Sequence, residues 1–336
     1  LRRDRDMKNL IDTQGRLRFG IYDESVECIN YLDYEIETPM GLHIPRVLRR
    51  WKANQFVFVG IMGPQYSIGF AVVDLKVLTN GFFYIYDKET GRVTDVSQMS
   101  LPNKKIYIAP NPDRVEGVFR SAKLNIAMKE GRIEASAGAI SIKGQLDLSD
   151  INPLRICTRA GYRDWVYVQK TNPVRFSGEV IYRGEHIDLS SPEYMASIDW
   201  TCGYMRRKTC WAWSSISTML ADKRSLGLNL SCGVNETSFT ENFFCIDNRR
   251  IKVDSVHFEF DNQNLYLPWH ITSFDKKVDL TFYPDAERSE HVNAFIIASR
   301  FTQMMGTYEG TLTTDDKEVI HLKDCPGFVE DHYAKW

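Results

Sequence analysis

No run of about 18 or more apolar residues occurs in the 336-residue chain, so no helix is expected to span a bilayer. Charge of one sign is missing too. Lys and Arg number 42 against 44 Asp and Glu, a formal charge of −2, and no global field draws the chain to nucleic acid or anionic lipid. The seven cysteines are odd in number and contain no C-x-x-C pair, which argues against a disulfide framework and against a structural zinc site. Neither His-x-His nor H-E-x-x-H is present, and the glycines of FVGIMGPQYSIG lack the spacing of a phosphate loop or a dinucleotide fingerprint. The opening LRRDRDMKNL has no apolar centre of the kind a signal peptide needs, so the glycosylation pattern at Asn235-Glu236-Thr237 carries little weight. These absences predict a cytoplasmic protein with reduced thiols, no catalytic metal, no cofactor and no nucleic-acid partner.

Helical periodicity is just as scarce. Only 44–51 (IPRVLRRW) suits a short helix, whereas apolar and aromatic runs of strand length recur between turn signals throughout. FVFVGIMGPQYSIGFAVVDL, from Phe56 to Leu75, predicts two strands joined at Gly63-Pro64. GFFYIYDKETGRVTDV, from Gly81, predicts a hairpin turning on Lys88 to Gly91. At 43% hydrophobic, the chain is long enough for two cores, and its 12% aromatic content fits twisted sheets.

Internal echoes organise these strands. FFYIYDKETGRVTDV from Phe82 and FFCIDNRRIKVDSV from Phe243 share an aromatic strand, an acidic turn and a Val-rich return, each after a strand bearing a glycine, Gly69 or Gly227. GEVIYRGEHIDL from Gly178 and GTLTTDDKEVIHL from Gly310 are followed by Pro192 and Pro326 and then by IDWTCG and EDHYAKW. Three echoes in one order predict an internal duplication, with domains 1–195 and 196–336. Closing each half into an antiparallel barrel removes exposed edges and leaves room for one small ligand, while a sandwich per half is the competing architecture.

The ordered set WKANQFVFVGIMGPQYSIGFAVVDL, FFYIYD, YVQKTNPVRFSGEV, DWTCGYMRRKTCWAWSS, GLNLS, TENFFCIDNRRIKV, LPWHI, VDLTFYP and EDHYAKW resembles an uncharacterised family, domain of unknown function 2804, from about Gly41 to Trp336. A more distant similarity is to lipocalin-like two-barrel proteins, among them carotenoid 1,2-hydratases and tocopherol cyclase. The resemblance implies an all-β fold of two consecutive lipocalin-like antiparallel barrels, with hydrophobic small molecules as the ligand class. His270 departs from the family pattern, where Arg is more usual after the Pro-Trp of LPWHI.

Chemistry-bearing residues are densest in IDWTCGYMRRKTCWAWSS. Asp199 is the expected acid, because a carboxyl placed among Trp side chains is desolvated and its pKa rises, which suits a proton donor. A salt bridge pinning the two halves together is the competing reading. Arg207 would clamp an anion or hold Asp199 ionised, with Tyr204 close by. Trp211 and Trp213 are two apart and so share a strand face, either as a cavity wall or as core. Glu241 and Asn242, in the loop before FFCID, and Asn229 on GLNLS form a second polar set expected at a barrel rim, with Glu241 as a second proton-handling group. His270, His332 and Glu330 have no metal-ligand spacing, and a hydrogen-bonded structural role competes with a functional one.

Because the second half has CWAWSS, GLNLS and TEN where the first has FVFVG, GFAVV and TNG, the ligand site is expected in the C-terminal barrel. The cations Arg46, Arg49, Arg50 and Lys52 around Trp51 suit a weak membrane-surface contact, or simply a solvated face. Three functions remain open: a cofactor-independent acid/base enzyme (hydratase, cyclase, isomerase or lyase), a lipid or isoprenoid carrier, and a carbohydrate-active protein.

Overall fold

The computed structural model of the chain describes residues 9–234, 239–294 and 297–335, so the pattern at 235–237 lies outside the described residues. Alternating β-branched, aromatic and polar residues form antiparallel strands almost throughout. Among the described residues they make two curled sheets, one of 14 strands and one of nine. The predicted hairpins are present: Asn54–Met62 meets Tyr66–Asp74, and Thr79–Asp87 returns as Arg92–Ser100. Arg46–Lys52 is a short α-helix, and no described helix is long and apolar enough to cross a membrane.

The duplication is written in the strand order. The first sheet runs Arg92–Ser100, Thr79–Asp87, Tyr66–Asp74, Asn54–Met62, Met195–Tyr204, Trp165–Tyr182, Ile140–Leu146. The second runs Arg249–Lys252, Phe243–Ile246, Ser225–Cys232, Lys208–Met219, Val319–Lys335, Ile297–Thr313, Val278–Ala294, so the order of elements is the same. The echoing segments at Phe82 and Phe243 hold equivalent places, and so do the strands carrying IDWTCG and EDHYAK. Strand Met195–Tyr204 is laddered to Asn54–Met62 and Trp165–Tyr182, so the change of sheet falls between Tyr204 and Lys208, later than 195.

Strands at the contact between the barrels have two buried faces, and Met195–Tyr204 is buried throughout. Along Met195–Tyr204, Ala196, Ile198, Trp200, Cys202 and Tyr204 enter the first barrel's core with Val57, Val59 and Ile61. Ser197, Asp199 and Thr201 therefore face the other way. Leu226, Leu228, Leu230 and Ile216 fill the second barrel. Between the barrels a third cluster joins Phe58, Met62 and Tyr84 to Trp213, Met305 and Phe328.

Polar groups weld this interface: the Ser197 hydroxyl lies 2.8 Å from those of both Ser215 and Ser217, and Asn172 donates to the carbonyls of Ile216 and Leu228. Asn172 sits where the ladder to Met195–Tyr204 shifts register. A Cβ on Gly227 would lie 2.2 Å from backbone atoms of Asn172 and Pro173, so glycine alone admits this approach of the sheets.

All seven cysteines are free thiols. Three of the four cations near Trp51 are engaged within the chain: Arg46 pairs with Asp33 at 3.2 Å, Lys52 with Asp164 at 2.5 Å, and Arg49 donates to the carbonyls of Ile44 and Tyr34. Val47, Leu48 and Trp51 stay exposed beside them.

Candidate functional site

A partly open cavity of about 210 Å³ lies between the two barrels. Phe58, Ala71 and Phe82 wall it from the first half, and Trp211, Trp213 and Phe301 from the second. The C-terminal barrel thus supplies one wall rather than the whole site, because each barrel's interior is filled by its own side chains. Trp211 and Trp213 share a face as expected, and that face lines the cavity.

Asp199 and Glu241 both reach the cavity, but the cation that joins them is Lys170, not Arg207. Lys170 and Asp199 are directly opposite on paired strands, so their side chains leave the sheet on one face. Lys170 Nζ donates to Asp199 Oδ2 at 2.6 Å and lies 3.3 Å from Glu241 Oε1, with side-chain exposures of 6%, 12% and 4% for the lysine, Asp199 and Glu241. The Thr201 hydroxyl donates to the other Asp199 oxygen at 3.0 Å. The ammonium also sits 5.5 Å from the Trp213 ring centroid, over its face. Burial pushes the Asp199 carboxyl above its ordinary range, with Lys170 opposing and the Glu241 charge reinforcing the rise. Burial pulls the Lys170 ammonium down, but the two carboxylates outweigh it and hold the lysine protonated.

The polar set around Glu241 is buried rather than at a rim. Asn229 Oδ1 accepts from Trp213 Nε1 at 2.8 Å, while its amide donates to the Glu241 carbonyl at 2.9 Å, so one side chain positions both a wall residue and an acid. Asn242 does not line the cavity. Its amide accepts from the Ser231 N–H and donates to the Asp254 carbonyl, bracing the loop that carries Glu241.

Three expected residues lie elsewhere. Tyr204 is five positions from Asp199, hence on the opposite face, and it packs on Trp165 in the first core while donating to the Tyr31 carbonyl. Arg207 is exposed at the turn between the sheets and outside the cavity lining. His270 follows the buried Trp269, so alternation turns it to solvent, where it shares a hydrogen bond with Thr281.

Two other lining groups, Arg288 and Gln303, have no counterpart among the expected site residues. Arg288, 3% exposed, bonds Asp95 at 2.7 Å across the two halves and Glu290 at 3.2 Å, its guanidinium 4.1 Å from the Phe82 centroid. Tyr84 donates to Gln303 at 2.6 Å, again across the halves. Glu330 and His332, adjacent on one face of their strand, line the cavity as well. Lys170 had a readable signal, a lone cation in phase with Val166 and Val168 on an apolar strand face. Arg288 had none, because charges surround it in PDAERSEH. Among the described residues no group of three or more His, Cys, Asp and Glu is arranged to hold a metal ion.

Solved structures that share the fold include the following two. One is a candidate AttH from Nitrosomonas europaea, 12% identical, with a TM-score of 0.50 over 83% of this chain and 91% of that one. The other is kievitone hydratase from Nectria haematococca, 10% identical, with a TM-score of 0.53 over 83% of this chain and 88% of that one. No functionally curated protein matches the chain. At these identities the likeness is one of fold. The family described as Domain of unknown function (DUF2804) matches residues 3–336, and the chain belongs to it.

Proposed function

We propose that the cavity binds a hydrophobic small molecule and that Asp199, Lys170 and Glu241 carry out cofactor-independent acid/base chemistry on it, of the hydration, dehydration, isomerisation or ring-closure type. The observation that carries this reading is a buried lysine facing two buried carboxylates in a cavity wall that is chiefly, though not wholly, apolar. Asp199 is buried beside the Glu241 charge as well as the Lys170 ammonium. Burial and that like charge both favour a proton on Asp199. Placed against an apolar substrate, that proton is available to an alkene, carbonyl or leaving group, and the Lys170 ammonium stabilises the carboxylate left behind. Thr209, another lining residue, has a buried hydroxyl with no hydrogen-bond partner among the described residues, which leaves a polar handle for a ligand. That a hydratase shares the fold agrees with this class of reaction by analogy.

The chiefly apolar lining also favours a second reading, a lipid or isoprenoid carrier in which the charged cluster is structural. It disfavours a carbohydrate site, which needs a more polar groove. The free thiols suit the cytoplasm, the compartment we propose.

The deciding experiment identifies by mass spectrometry what co-purifies with the protein and then compares wild type with Asp199→Asn. The enzyme reading expects the Asp199→Asn protein to retain the ligand and to lose turnover of it by at least about 100-fold. Ligand bound without turnover by the wild type would leave the carrier reading standing, and equal turnover in the two proteins would remove Asp199 from the chemistry. Failure of the purified protein to bind any apolar ligand in the cavity would remove both.

A further inference from the structure

A second constellation stands on another part of the cavity wall and shares no residue with the Lys170 cluster. Strands Ile297–Thr313 and Val319–Lys335 pair so that His332 faces Phe301, Glu330 faces Gln303 and Ser299 faces Ala334. Ser299 is therefore diagonal to His332 on the same face, a separation an imidazole can bridge. The Ser299 hydroxyl lies 2.9 Å from His332 Nε2, and His332 Nδ1 lies 3.2 Å from Glu330 Oε1. Trp211 Nε1 donates to that same Glu330 oxygen at 3.0 Å, and its ring lies 4.1 Å from the imidazole, centroid to centroid. Phe301 meets the imidazole edge-on at 5.1 Å. An ionised Glu330 can only accept, so the proton of neutral His332 belongs on Nδ1 and Nε2 is left to accept from Ser299. All three residues line the cavity, beside Val292, Ile297 and Phe301.

We propose that Ser299, His332 and Glu330 form a nucleophilic triad that cleaves esters of hydrophobic carboxylic acids held in this cavity. Hydroxyl, imidazole and carboxylate in this hydrogen-bonded order, on a partly water-excluded apolar wall, are the elements of acyl transfer whatever the fold that carries them. Ser299 Oγ attacks the ester carbonyl carbon while its proton passes to His332 Nε2. The bond to the alcohol oxygen then breaks, and that oxygen takes the proton from His332. Water repeats the sequence on the seryl ester, giving its proton to His332 and releasing the acid as Ser299 recovers its hydrogen. Glu330 touches no reacting atom. It is a positioning residue that holds the imidazole in one tautomer.

The test is covalent labelling of the whole chain with an alkyl fluorophosphonate, read by peptide mass spectrometry, together with hydrolysis of medium-chain p-nitrophenyl esters. A single adduct on Ser299 is expected, absent in Ser299→Ala and slowed about 10³-fold in His332→Gln, with ester hydrolysis falling in parallel. Glu330→Gln should lower kcat while leaving KM within about twofold, a split that a merely structural role would not produce. His270→Ala, at a solvent-facing imidazole outside the cavity, should label at the wild-type rate, and because this proposal is read on the Ser299 adduct and the acid/base reading on turnover of the co-purified ligand, the failure of each is separable. No adduct on Ser299, or labelling at the same rate in the folded His332→Gln protein, overturns the triad.

Discussion

Lys170→Met tests the charge balance on which the acid/base reading rests. The wild-type cluster sets one cation against two carboxylates, at 2.6 and 3.3 Å, with all three side chains at 12% exposure or less. Methionine fills the lysine's volume and removes the cation, leaving two like charges buried and facing each other. Breaking a buried pair by removing one partner costs about 3–5 kcal/mol. At about 2–4 °C per kcal/mol for a chain approaching this size, that is a fall in Tm of roughly 6–20 °C near pH 7.5. Asp199→Asn is the contrasting case, since Lys170 and Glu241 remain as a neutral pair and the new amide oxygen still accepts, so the cost is about 1 kcal/mol.

The dependence on pH follows from the direction of the Asp199 shift. A carboxyl whose folded pKa is raised above its unfolded value binds more protons when folded, so its contribution is fully present below the unfolded value near 3.8 and is lost as pH rises through the folded one. Without Lys170 the Asp199 carboxyl should move further up, and the penalty should shrink as pH falls from 7.5 towards 5. Urea unfolding of the three proteins at both pH values is the assay. A Lys170→Met protein within about 1 kcal/mol of wild type, or one whose deficit grows on acidification, would mean the carboxylates are solvated and the reasoning is wrong.

Other perturbations probe how the two halves are joined. Gly227→Ala should destabilise by about 1–3 kcal/mol or more, because its methyl meets backbone at 2.2 Å and neither sheet can yield locally; equilibrium unfolding measures it. Trp213→Phe keeps an aromatic ring but leaves Asn229 Oδ1 without its donor, and should cost about 1–3 kcal/mol while loosening the loop that carries Glu241, seen as faster amide exchange there. Arg288→Met and Asp95→Asn should be non-additive by about 1–3 kcal/mol in a double-mutant cycle, since the pair meets at 2.7 Å across the interface.

Much of the architecture was legible in the residues themselves. Period-two alternation and turn chemistry specify a strand wherever they occur, which is why the hairpins at Gly63-Pro64 and at Lys88 to Gly91, the short helix and the duplicated strand order can all be read from one chain. Alternation also says that Trp211 and Trp213 share a face, and that Asp199 and Tyr204 do not. It cannot say which face is which. In FVFVGIM and in IDWTCGY both faces are apolar enough to be buried, and only the docking of the two barrels makes one face of each strand a core and the other an interface. The same docking created the cavity between the barrels, where the sequence pointed to the interior of the second. Lys170 and Asp199 are 29 residues apart and meet because the ladder sets them opposite, while Glu241 reaches them from the other sheet. Local pattern specifies what a residue is bonded to along the chain, whereas a charge cluster is a property of register and of approach between sheets, and those are decided by packing.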